Sequence, residues 1–197
     1  MTTQMMPRAG AACGGLFAVA LTAASNGSAD ASYIAGLAAL ALFLPFLAYL
    51  CTLLRQAEGE HGWLAPAALA AGVAGITIKL ASVAPEIAAN HLASSTLHNA
   101  LQDVANVATV TSMYPLALLL AAVTVIALRT KVLPRWLGYG AAVTAAALAI
   151  NAGFLHATIV PAFLLFAVWT LATSVTLFVK ARRRAVHVTP SPAPVAR

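Results

Sequence analysis

Six long runs of Ala, Leu, Val, Gly and Phe, separated by short polar or basic breaks, set the pattern of the chain: residues 7–25, 33–54, 63–83, 101–128, 136–154 and 158–179. A helix needs about 20 apolar residues to cross a hydrocarbon core about 30 Å thick. The runs therefore predict an all-α, polytopic membrane bundle of six transmembrane helices occupying residues 1–180. Residues 181–197 read as a basic, then Pro-rich, disordered tail.

Punctuation inside the runs refines this picture. Pro45 and Pro115 lie well inside theirs, where each removes one backbone hydrogen bond, whereas Pro66 and Pro161 fall in a first turn, where the missing N–H costs nothing. Trp63 and Trp136 each open a run, as interfacial aromatics do. The pairs Ala68/Gly72 and Ala71/Gly75 have the spacing that lets a neighbouring helix approach closely, which predicts the third helix at the centre of the bundle. Between the third and fourth runs, Pro85-Glu86 and Ser94-Ser95 read as two helix starts, predicting a short interfacial helix before the fourth span. The first run has a second reading as a signal peptide, with Arg8 ahead of an apolar centre and the small residues Ala23, Ala24 and Ser25 at its end.

Composition agrees with the pattern: 61% of residues are hydrophobic and only 8% charged, with a mean hydropathy of +0.89. The net charge of +6 does not indicate nucleic acid, because the basic residues sit in short tracts between apolar runs. They report topology instead. Arg8, Arg55, Arg129, Lys131, Arg135, Lys180, Arg182, Arg183, Arg184 and Arg197 fall on one side of a six-span arrangement and Lys79 alone on the other. The positive-inside rule then predicts both termini in the cytoplasm of a bacterial cell, with the bundle in its cytoplasmic membrane. Cys13 and Cys51 fall near the same side without a CxxC spacing, and read as reduced packing residues.

The polar side chains outside the breaks concentrate between Lys79 and Asn106, in Lys79, Glu86, His91, His98, Asn99, Gln102, Asp103 and Asn106. At about 100° per residue, His98, Asn99, Gln102, Asp103, Asn106, Thr109 and Met113 fall within about 140° of one helix face. A polar stripe in hydrocarbon is costly unless it meets protein or water, so it is predicted to turn inward. Two readings of its charges stand side by side: a Lys79–Asp103 ion pair with Glu86 as competing partner, or a Lys79 that reaches the headgroups while Asp103 favours the positive end of the fourth helix.

His91, His98 and His156 share one side of the membrane and, with Glu86 or Asp103, are candidate ligands for zinc or, as a pair, for haem iron. No HExxH or other tight ligand spacing accompanies them, so no metal and no cofactor is predicted. Neither GxSxG nor Walker A occurs, Glu58 and Glu60 read as solvated loop charges, and no catalytic constellation emerges. The partner expected is the lipid bilayer, with anionic lipid a candidate at Lys180, Arg182, Arg183 and Arg184. Two functions compete: a small permease-like transporter whose stripe lines a vestibule, or a non-catalytic module that binds a partner protein or lipid and uses the stripe to stitch helices together; a membrane enzyme is a third, whose sign would be convergence of His91, His98 and His156.

Arg129, Leu133, Pro134, Arg135, Leu137 and Gly138 form a basic linker ahead of a small-residue helix and a last span with an internal Trp169. This stretch resembles bacterial six-helix integral membrane proteins grouped in a domain-of-unknown-function family, in which a similar Leu-Pro-(Arg/Lys)-x-Leu-Gly linker joins the fourth and fifth spans. The resemblance covers about the last half of the chain. It implies a six-helix inner-membrane protein and carries no activity with it.

Overall fold

The computed structural model describes residues 5–24, 29–59, 62–92, 94–153 and 159–186. Among them are six α-helices and no strand: α1 (Met5–Ala24), α2 (Ala29–Glu58), α3 (Leu64–Asn90), α4 (Ser95–Thr130), α5 (Arg135–Gly153) and α6 (Ile159–Val186). Four contain stretches long and apolar enough to cross a membrane, namely Ile34–Glu58, Leu64–Asn90, Ser95–Thr130 and Pro161–Arg182, while Ala9–Ala20 in α1 is a shorter apolar stretch. α5 has only 19 residues, and Thr144 and Asn151 dilute its apolar run.

Each helix packs against the next, and α6 returns onto α1, so the six close into a ring across which α2 and α4 also touch. The α1–α2–α6 side is filled by Phe17, Phe43, Phe46 and Phe166, whose ring centroids lie 5.0 to 6.2 Å apart. Ser174 Oγ donates to the Ala11 carbonyl and fastens α6 to α1. Trp169, the unusual mid-helix tryptophan, has a polar reason for its place. Its indole N–H donates to Leu137 O at 3.1 Å and its ring is 4% exposed, so α6 is pinned to the first turns of α5.

α4, not α3, is the central helix. In its most apolar stretch 56% of residues are buried, against 28% for α3, and it packs on α3, α5 and α2. Small residues specify how closely two helices approach, not how many neighbours surround them. A Cβ on Gly72 would lie 2.6 Å from Leu47 Cδ2, and one on Gly75 would lie 2.8 Å from Leu116 Cγ, so α3 fits tightly against α2 and α4 while its other face stays open.

The expected interfacial helix does not form separately. α3 runs through Pro85 to Asn90, and α4 begins at Ser95 with Ser94 at its N-cap position. Pro85 removes a single backbone hydrogen bond, and the helix is held on both sides of it by Ser82 and Ala89, each 0% exposed. α6 likewise continues to Val186, past the expected start of the tail at 181, and residues 187–197 lie outside the described residues.

Glu58 is no free loop charge. It ends α2, and its carboxylate accepts hydrogen bonds from the backbone N–H groups of Leu64 at 3.0 Å and Ala65 at 2.9 Å. These are among the donors that the start of α3 leaves without intrahelical partners, and an anion there is further favoured by the helix dipole. Glu58→Ala is accordingly expected to lower stability by about 1 kcal/mol, read as an earlier thermal transition in detergent, with Glu58→Gln losing less. Glu60 lies outside the described residues.

Candidate functional site

Lys79 emerges from α3 toward α4 at the end of the bundle that carries the α3–α4 turn. Its ammonium donates to Thr109 Oγ1 at 2.8 Å. Thr109 Oγ1 in turn donates to Ser82 Oγ at 3.3 Å, and Ser82 Oγ donates to the Lys79 carbonyl at 2.7 Å. The Lys79 side chain, Thr109, Ser82 and the Lys79 backbone carbonyl therefore close a ring of hydrogen bonds. Ser82 is fully buried, Thr109 is buried and Lys79 is half-buried. One helical turn on, Ser112 Oγ donates to Thr109 O at 2.6 Å, and Asn151 Nδ2 on α5 lies 3.3 Å from Met113 Sδ. A line of polar groups thus runs from α3 through α4 to α5.

The Lys79–Asp103 ion pair expected from the sequence is replaced by this hydroxyl contact. Asp103 is exposed. Glu86, two turns along α3, is half-buried. The predicted stripe also splits. Thr109 and Met113 are buried, Gln102 and His98 are half-buried, and Asn99, Asp103 and Asn106 are exposed on the outside of the bundle instead of facing inward.

Helix length explains why the exposed residues are tolerable there. α4 has 36 residues, about 54 Å at about 1.5 Å per residue, whereas a hydrocarbon core takes up about 30 Å. Counted back from Arg129, about 20 residues of hydrocarbon end near Thr109. In a bilayer so placed, Asn106, Asp103 and Asn99 would fall at headgroup level and beyond, where amide and carboxylate groups meet water.

His98 is held by a different bond: its Nδ1 lies 2.8 Å from Ala89 O, one of the last carbonyls of α3. His91 is exposed at the C-cap of α3; its backbone N–H donates to Ala88 O at 3.2 Å, and that of Leu92 donates to Ala89 O at 3.2 Å. Among the described residues, no three His, Cys, Asp or Glu groups converge as metal ligands; His156 lies outside those residues. Cys13 and Cys51 are both free thiols.

Sequence reasoning did not single out Ser82, Ser112 or Asn151 as partners in this network. Ser82 carried a signal, being three residues from Lys79 and so on the same helix face, but a hydroxyl stands out less in a sequence than a carboxylate as partner for an ammonium. Chemically, the assembled network presents N–H and O–H donors that end on backbone carbonyls. It holds no nucleophile with an adjacent base. Comparison of the chain with known families, curated proteins and solved structures gives no match.

Proposed function

We propose that this chain is a six-span protein of a bacterial cytoplasmic membrane, with both termini cytoplasmic, that serves as a non-catalytic module and presents the polar end of its α3–α4 hairpin to a partner outside the membrane. The observation that carries the reading is the closed Lys79–Thr109–Ser82 ring. The buried part of the polar stripe joins two helices, while Asn99, Asp103 and Asn106 are left on the outer surface. The one-sided distribution of Lys and Arg supports the orientation, and the likeness of the 129–138 linker to six-helix proteins supports the span count.

A permease-like transporter differs in one accessible quantity. It requires water to reach Met113, which is 0% exposed. In a protein with Cys13 and Cys51 replaced by alanine, Asn106→Cys is expected to react with a membrane-impermeant thiol reagent added outside the cell, and Met113→Cys to stay protected. Labelling of Met113→Cys from outside would establish a vestibule and replace this reading with the transporter. Labelling of Asn106→Cys only from the cytoplasmic side would reverse the orientation.

A further inference from the structure

The opposite end of the bundle gathers cations from two segments that are distant in sequence. Lys180 on α6 donates to Val132 O at 2.9 Å, which sets the end of α6 against the 131–134 turn. That turn is built, not loose. Lys131 adopts a left-handed conformation with φ of 56° and closes α4 through its N–H to Ala127 O. Thr130 Oγ1 accepts from Val132 N at 3.4 Å, and Leu133 is 2% exposed beneath. Arg129, Lys131, Arg135, Lys180 and Arg182 are all exposed around it.

Nothing in this half of the chain balances them, because no Asp or Glu follows Asp103. Glu58 is the acidic residue described at this end, and it is committed to the first turn of α3. Next to Arg135, the rings of Trp136 and Tyr139 are 58% and 60% exposed on the outside of α5. Exposed Trp and Tyr rings at the end of an apolar helix settle at headgroup level, which puts the neighbouring cations at the depth of lipid phosphates.

From this arrangement we infer that the 129–135 turn and the end of α6 together form a docking site for the headgroup of an anionic phospholipid. The site is wider than the Lys180–Arg184 tract, whose Arg183 and Arg184 side chains lie outside the described ones, and it is independent of the partner face proposed for the α3–α4 hairpin. Its charges act as a fixed group because Lys180 ties the two segments together. The preference is for net negative charge near the bilayer surface, screened by salt over about 8 Å at physiological ionic strength.

The test uses the full-length protein in detergent, offered equal amounts of phosphatidylglycerol and phosphatidylcholine, with bound lipid counted by native mass spectrometry. Phosphatidylglycerol is expected to be retained preferentially, and each neutralised cation to reduce that preference roughly fivefold at low salt. Lys131→Gln and Arg182→Gln, one from each segment, are both expected to show the loss, and Lys131→Arg to restore it. Arg55→Gln serves as the control, an exposed cation at the end of α2 outside this site. Equal retention of the two lipids by the native protein would overturn the inference. So would an equal loss in Arg55→Gln, which would reduce the effect to diffuse surface charge. The assay is blind to membrane orientation and to the state of the α3–α4 face.

Discussion

Gly75→Leu is expected to be the most damaging single substitution in the α3–α4 seam, lowering stability by about 3 kcal/mol or more. A Cβ at this position would sit 2.8 Å from Leu116 Cγ, 2.9 Å from Leu116 Cδ2 and 3.3 Å from the Ser112 carbonyl oxygen. A side-chain end can swing away, but Leu116 is 5% exposed and the Ser112 carbonyl belongs to the α4 backbone. The added atoms must therefore push the helices apart. That movement reaches the polar ring, because Ser112 and Thr109 lie on the same stretch of α4 and Thr109 is bonded across the seam to Lys79. Gly36→Ala supplies the contrast, since a Cβ there meets nothing within 4 Å. It is expected to leave stability unchanged or raise it by up to about 1 kcal/mol through helix propensity. Thermal transitions of the purified variants in one detergent measure both effects. Leu116→Ala in a Gly75→Ala background should recover part of the loss, and a recovery no larger than additivity would place the obstruction elsewhere.

What could be read before the fold was known follows the range of the interaction concerned. Hydrophobic length is a local property, so the apolar runs announced the all-α architecture and its long helices. The ends of elements depend on distant contacts. Nothing near Pro85 says that α3 continues past it; the burial of Ser82 and Ala89 against the rest of the bundle does. Small residues at 68, 71, 72 and 75 marked a helix that neighbours approach closely, as Gly72 and Gly75 show, but not the helix at the centre of the bundle. Two snug neighbours are enough to select glycine, while α4 earns its central position through large residues such as Met113, Leu119 and Leu120, each 0% exposed.

The polar stripe shows the same division. Helical periodicity groups residues on one face, but a face of a 36-residue helix passes from bundle interior to headgroup level along its length. Asn99 and Thr109 can share a stripe and not share an environment. Charge matching misassigned the Lys79 partner for a related reason. It paired Lys79 with a carboxylate at a similar depth, whereas the hydroxyl of Thr109 was the group the helix geometry delivered to the ammonium at 2.8 Å. Serine and threonine carry no signal strong enough to stand out in a sequence, yet they supply most of the buried polar groups: Ser82, Thr109, Ser112, Thr144, Thr170, Thr173 and Ser174, with Asn151 the exception.

That assignment makes a second large effect asymmetric. Thr109→Val keeps the shape of the side chain and removes the oxygen that receives the Lys79 ammonium, leaving a half-buried cation without its partner, at an expected cost of about 2 kcal/mol. Lys79→Met removes the charge itself and leaves Thr109 still able to donate to Ser82 Oγ, so its cost is expected to stay below about 1 kcal/mol. The double variant should be more stable than Thr109→Val alone, because the stranded ammonium is then gone. Asp103→Asn, at an exposed position, is expected to change stability by less than about 0.5 kcal/mol. Detergent-solubilised variants compared by thermal or denaturant unfolding give all four values. If Lys79→Met proved as costly as Thr109→Val and Asp103→Asn matched them, the ammonium would be paired with the carboxylate after all, and the hydroxyl ring would be a bystander.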